Sequence, residues 1–167
     1  MTNVSVTLSG LDADWAKACR NAVTRLNFLF KQNGIAVVLS AGGSKGPTIT
    51  VSTDPGIKGD AVHGRTSAES DGANRLIQAK VGLPEKVTIN TPQGVRKAGT
   101  GILEIIAAHE FVHALGQVEH SSHLMAQTFY KEPGDNAAGD KLKAGGVKLP
   151  PLLLAPDTVD TLKGIWS

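Results

Sequence analysis

The spacing of apolar residues predicts a short strand and then a long helix in the first part of the chain. Val4 and Val6 alternate with polar neighbours up to Gly10, which is typical of a strand. Asp12 is suited to an N-cap, and Asn33-Gly34 supplies a stop. Between them apolar residues recur at three-and-four spacing: Trp15, Ala18, Ala22, Leu26, Leu29 and Phe30. This stripe predicts an amphipathic helix that buries one face.

The middle of the chain predicts further strands separated by turns. Apolar runs or alternation mark the segments 35–39, 48–53, 61–66, 76–81 and 87–90. The glycines at 42, 43 and 46 lack the spacing of a phosphate-binding loop and predict a turn. Residues 91–101 and the long segment after Met125 show little periodicity and predict loops. Helical spacing returns at 156–166, which predicts a short C-terminal helix.

Composition excludes several classes of protein. The 167 residues suit one domain, 1–167, and the 41% apolar and 19% charged residues are ordinary for a soluble globular chain. No apolar run approaches the length of a membrane span, and a net charge of +2 without a basic stripe gives no reason to expect a nucleic-acid partner. Cys19 is the only cysteine, so no internal disulfide forms, and we expect it to pack in the core. The N-terminus lacks the pattern of a signal peptide, and the compartment stays undetermined.

A second apolar helix, predicted to begin near Thr100, carries the residues with the clearest chemistry. His109 and His113 are four residues apart, so their imidazoles project from one face of a helix and can share a zinc ion. Glu110 stands beside the first histidine, where a carboxylate can accept the proton of a metal-activated water. Gly116 can turn the chain back towards the helix. Four of the five histidines fall within fifteen residues: His109, His113, His120 and His123.

The third metal ligand has three candidates in the segment after Gly116. His120 is favoured because neutral imidazole is the commoner partner of two helix histidines, and a neutral ligand set preserves more positive charge on the metal. Glu119 and His123 are the alternatives. The remaining histidine, His63, lies far from the cluster in sequence and stays unassigned.

The sequence HEFVHALG, continued by Glu119-His120-Ser121-Ser122 and Leu124-Met125, resembles the metzincin zinc metallopeptidases, most closely the matrixin-like branch. This chain departs from the family signature at the third ligand, because Glu119 occupies the family position and His120 follows it. The resemblance implies an α+β fold: a metzincin-like mixed twisted sheet of about five strands, one backing helix, a zinc-site helix and a short C-terminal helix. It also implies that Met125 forms a Met-turn beneath the metal, and that an edge strand, here 61–66, pairs with an extended substrate.

The resemblance implies a zinc-dependent endopeptidase in which Glu110 activates a zinc-bound water. Tyr130 is a candidate stabiliser of the oxyanion, and the alternative is an ordinary surface or packing role. The expected partner is a peptide or protein substrate, with no nucleic acid and no membrane; the chain is expected to be a monomer, and secretion is expected only by analogy with the family. Two alternatives share these residues: a closed structural zinc site in a non-catalytic binding module, and a zinc hydrolase of a non-peptide amide.

Overall fold

The computed structural model describes residues 1–43, 45–58, 64–91, 94–126, 130–132, 136–137, 140–141, 146–148 and 152–167, with the backbone alone at 89–91, at 96 and between 130 and 148. Its architecture is α+β, with a five-stranded sheet and three helices, and the predicted fold class is confirmed. The helices are α1 (Ala13–Asn33), α2 (Thr100–Ala114) and α3 (Pro156–Ile165).

The main sheet has the strand order β2-β1-β3-β5-β4. Its strands are β1 (Thr2–Ser9), β2 (Val37–Ala41), β3 (Thr48–Thr53), β4 (Arg65–Ser70) and β5 (Leu76–Leu83). Neighbours pair in parallel, except that β4 pairs antiparallel with β5 at one end of the strand order. Helix α1 connects β1 to β2, as a parallel pair requires, because a tight turn cannot join parallel strands.

Helix α1 has the boundaries and the buried face that its sequence predicts. The carboxylate of Asp12 caps its N-terminus by accepting from the backbone N–H of Trp15 at 2.8 Å, and Gly34 ends it with a φ of 67°. The buried residues of α1 include Cys19, as expected, and burial raises the pKa of this thiol to about 12. Helix α2 packs against α1 and reaches β4 and β5, so it is buried on most sides.

Several strand predictions are wrong at their boundaries. The predicted strand 61–66 overlaps β4 (Arg65–Ser70) at 65–66, and 61–63, with His63, lie outside the described residues. Alternation fails here because Ala68 is the only apolar residue in β4. The segment 91–101, predicted as a loop, contains β7 (Gly94–Lys97), which forms a hairpin with β6 (Thr88–Thr91).

The segment after Met125 also contains strands where a loop is predicted. Strand β8 (Tyr130–Glu132) pairs with β11 (Gly146–Lys148), and β9 (Asn136–Ala137) pairs with β10 (Asp140–Lys141). Strands of two or three residues are too short to carry a detectable period. Within the described ranges, no helix is both long enough and apolar enough to cross a bilayer.

Candidate metal centre

Three histidine side chains converge at the C-terminal end of α2. His109 and His113 project from successive turns of the helix, and His120 arrives from the segment that follows it. The Nε2 atom of His113 lies 3.0 Å from Nε2 of His109 and 3.2 Å from Nε2 of His120. These three side chains could hold a metal ion together, because their donor atoms all lie within 4.8 Å of one another.

Backbone carbonyls determine which ring nitrogens face the centre of this group. Nδ1 of His109 lies 2.7 Å from the carbonyl oxygen of Leu124, and Nδ1 of His113 lies 2.6 Å from that of Gln117. A carbonyl oxygen only accepts, so each Nδ1 carries the hydrogen and each Nε2 of the neutral ring presents a lone pair. Burial lowers the pKa of His113 and of His120, which favours the neutral rings.

This donor set fits a metal ion. With both Nδ1 atoms protonated, the neutral rings of His109 and His113 place two Nε2 atoms, each with a lone pair, 3.0 Å apart with no hydrogen between them. Two facing lone pairs repel each other when no cation lies between them, and both are attracted to a cation placed there. Tetrahedral zinc with bonds of about 2.0–2.1 Å to nitrogen separates two ligand atoms by about 3.3 Å, close to the separations found here.

The carboxylate of Glu110 lies beside the histidines and is only 3% exposed. The hydroxyl of Thr66 donates to its Oε2 at 2.5 Å, and the backbone of Gly64 supplies a further hydrogen bond. Burial raises the pKa of Glu110, and these hydrogen bonds act in the opposite direction. A Cβ on Gly64 would lie 2.4 Å from the carbonyl oxygen of Gly82 and 3.1 Å from Cγ of Glu110, so this approach needs a glycine.

The chain reverses direction immediately after α2. Gly116 has a φ of 126°, and a Cβ there would lie 2.4 Å from Cδ1 of Ile165 in α3. The indole N–H of Trp166 donates to the carbonyl of Leu115 at 2.8 Å, which ties the end of α3 to the end of α2. The reversal places His120 next to the helix histidines.

A tight turn at 121–126 supplies the carbonyl that orients His109. The backbone N–H of Ser121 donates to the carbonyl of Met125 at 2.7 Å, and that of Met125 donates to Ser122 at 3.2 Å. His123 has a φ of 55° within this turn. Met125 is 1% exposed and belongs to the hydrophobic core, a position common to a Met-turn and to plain packing.

The other residues predicted for the site are not part of the histidine cluster. Glu119 and His123 are exposed and supply no donor atom to it. The backbone carbonyl of Glu119 instead accepts from Nε2 of Gln117 at 2.9 Å. Tyr130 begins β8, but its side chain lies outside the described residues.

An open cleft of about 460 Å³ runs past the histidines and the carboxylate. Strand β4 forms one side of this cleft through Thr66 and Ala68, and Val118 lines it from the segment before His120. Because β4 ends the strand order of the main sheet, the cleft runs along a sheet edge.

Three groups that support the site were not predicted from the sequence: Thr66 and Gly64 beside Glu110, and Gln117 beside His113. Gly64 and Thr66 are 46 and 44 residues from Glu110, and no motif joins them to it. The sequence gives only a weak indication of the role of Gln117: it is a polar residue that lies between the turn glycine, Gly116, and the residues that lead to His120.

No protein-family model matches the chain, and no curated protein matches its sequence. Solved structures that align with it include High choriolytic enzyme 1, a hatching enzyme zinc-protease from the medaka fish Oryzias latipes. That alignment has 10% identity and a TM-score of 0.46, and covers 98% of this chain and 88% of that one. Myroilysin aligns with 10% identity and a TM-score of 0.44, covering 98% of this chain and 83% of that one. Neither alignment assigns a function to this chain.

Proposed function

We propose that the protein is a zinc-dependent endopeptidase. The observation that carries the proposal is the convergence of three imidazole nitrogens beside a buried carboxylate at the wall of an open cleft. His109, His113 and His120 would hold the zinc through Nε2, with two of the rings fixed by carbonyls at Nδ1. Held by these three neutral imidazoles, zinc would supply the chemistry of a Lewis acid: it would acidify a water and polarise a substrate carbonyl.

The number of protein donors favours a catalytic site over a structural one. Structural zinc sites take four protein ligands, whereas catalytic sites keep one position for water or substrate. Three donors converge in the described part of the chain, and the group faces the cleft. Glu119 and His123, which a closed site would draw on, are exposed outside the cluster.

Glu110 is the proposed general base and acid. Its carboxylate would accept a proton from the attacking water and deliver it to the nitrogen of the leaving amine. Thr66 holds Oε2 at 2.5 Å, which fixes the orientation of the carboxylate within the cleft. In this proposal the proton transfers belong to a group that is not itself a metal ligand.

An extended peptide is the substrate class that best fits the cleft. Strand β4 lies at the end of the sheet along the cleft. A peptide backbone that paired with this edge would run past the histidines. The described lining next to the metal candidates is uncharged and small at Gly64, Thr66 and Ala68, which leaves room for a main chain.

The variant Glu110→Ala tests the proposal directly. We expect the parent to bind about one zinc ion per chain and to cleave casein or a mixed peptide library. Glu110→Ala should bind zinc equally well and lose cleavage, because the carboxylate moves protons and does not hold the metal. Native mass spectrometry measures the zinc, and a fluorescent peptide library measures the cleavage.

The matched control is Glu104→Gln, which alters another carboxylate of α2 that pairs with Arg25 at the surface. It should retain both zinc and cleavage. Full activity of Glu110→Ala would contradict the mechanism, and equal zinc binding after His109→Ala or His113→Ala would contradict the site. Cleavage of simple amides without cleavage of any peptide would assign a different substrate class.

A further inference from the structure

We propose that Gln117 is a positioning residue that holds His120 within reach of the two helix histidines. The inference rests on the proposed zinc site and adds to it a determinant of metal affinity that the ligand motif does not contain. Three residues separate Gly116 from His120, one more than in the metzincin signature, so this segment needs its own means of bringing the third imidazole into place.

The segment before His120 has a single buried residue. Val118 is 81% exposed, and Glu119 and His120 are exposed as well, so apolar packing does not restrain these three positions. Gln117 is 6% exposed. A ligand on an exposed segment has to lose conformational freedom when it binds metal, unless another contact has already restricted it.

Gln117 makes hydrogen bonds in both directions along the chain. Its backbone N–H donates to the carbonyl of Val112 at 3.3 Å, and its own carbonyl accepts from Nδ1 of His113 at 2.6 Å. Its side-chain Nε2 donates to the carbonyl of Glu119 at 2.9 Å, one residue before His120. Gln117 therefore orients His113, the second helix ligand, and restrains the segment that carries His120, the third ligand.

The side-chain oxygen of Gln117 indicates that this residue does more than stabilise the fold. Its Oε1 is buried and has no hydrogen-bond partner among the described residues. A buried acceptor without a partner destabilises a fold, and an apolar side chain of the same length would avoid that penalty. Glutamine at this position is therefore better explained by its bond to Glu119 than by core packing.

The test is zinc affinity, measured by competition with a chelator, for the parent, Gln117→Met, His120→Ala and the double variant. Methionine matches glutamine in length but cannot donate to the carbonyl of Glu119. We expect Gln117→Met to lose about tenfold or more in zinc affinity, the range for residues that orient metal ligands. In the His120→Ala background the same substitution should cost little, because the ligand that Gln117 positions is gone.

The thermal midpoint of the metal-free proteins supplies the readout that separates positioning from folding. Gln117→Met should melt no lower than the parent, since it removes a buried unpaired acceptor. Gln32→Met, the same substitution at an exposed position of α1, is the control and should leave zinc affinity unchanged. If Gln117→Met misfolds, Gln117→Leu takes its place, because it also removes the donor and buries no charge.

The outcomes distinguish this inference from the proposed function. If the parent binds zinc and Gln117→Met binds it with the same affinity, the proposed role of Gln117 is wrong, while the metal site remains supported. An equal loss in the parent and His120→Ala backgrounds would also overturn it, because the effect would not pass through His120. A parent protein that binds no zinc would overturn both.

Discussion

At the scale of single residues, the carboxylate of Glu110 depends on donors from another part of the chain. It is almost fully buried, and an ionised carboxylate in that environment requires hydrogen bonds. The Thr66 hydroxyl and the Gly64 backbone supply them from the start of β4. Because Thr66 engages Oε2, the orientation of the carboxylate is set before any substrate binds.

Thr66→Val should therefore weaken turnover while leaving zinc in place. Valine keeps the shape and removes the hydroxyl, and a hydrogen bond to a charged group contributes about 1.5–3 kcal/mol. We expect kcat to fall about tenfold or more, with KM and zinc content near those of the parent. Thr66→Ser should restore most of kcat. Thr50→Val, in β3 and away from the cleft, is the control, and a kcat of Thr66→Val equal to the parent's would exclude the role.

Sequence distance explains which site residues could be predicted. His109, Glu110 and His113 lie within two turns of one helix, where spacing alone predicts a shared face. Thr66 is 44 residues away, and the sheet brings it to Glu110. The pattern contains no information about that contact, because it depends on where β4 pairs.

At the scale of elements, the end of α2 depends on one glycine and on α3. Gly116 has a φ of 126°, which residues with a side chain rarely adopt. Trp166 donates to the carbonyl of Leu115, so α3 supplies a hydrogen bond that α2 cannot make for itself. The sequence predicts each helix and the glycine between them, but the contact between the two helix ends becomes visible only in the fold.

Gly116→Ala should lower the free energy of unfolding by about 1–3 kcal/mol, because alanine is strained at this φ and its methyl group approaches Ile165. Urea denaturation should show a lower midpoint with an unchanged slope. Gly164→Ala provides the comparison within α3: a Cβ there meets nothing within 4 Å, and alanine favours helix. It should be neutral or slightly stabilising. Equal midpoints for both variants would remove the special role of Gly116.

At the scale of the whole molecule, the candidate centre joins segments that are distant in sequence. Helix α2 contributes His109, the turn at Leu124 orients it, and Ser121 donates to Asp157 of α3 at 2.5 Å. Four strands of the main sheet, β1, β2, β3 and β5, could be predicted approximately from the apolar pattern. Strand β4 and the strand order could not, because β4 is mostly polar and alternation does not specify partners. A metal bound here would tie together elements that the sheet alone does not connect.

Zinc should therefore raise the stability of the entire fold. A ligand that binds only the native state adds about 4 kcal/mol at a free concentration a thousand times its Kd. Differential scanning calorimetry should show a higher thermal midpoint with zinc than with a chelator. The His109→Ala, His113→Ala double variant should show the same midpoint in both conditions. A parent protein whose midpoint does not respond to zinc would contradict a metal centre at this position.

The position of β4 at the end of the sheet also affects how the protein avoids aggregation with other copies of itself. The groups that would pair with a peptide would pair equally well with a strand of a second molecule, which is how sheet proteins begin to aggregate. Strand β4 carries Arg65 and Glu69, only one apolar residue, and a register shift at Glu69/Ser70. Charge and irregularity at an edge discourage long-lived strand addition while still permitting a short encounter. The polar composition of β4 prevents its prediction from apolar periodicity. The same composition would keep the cleft free of other copies of the protein in a concentrated solution.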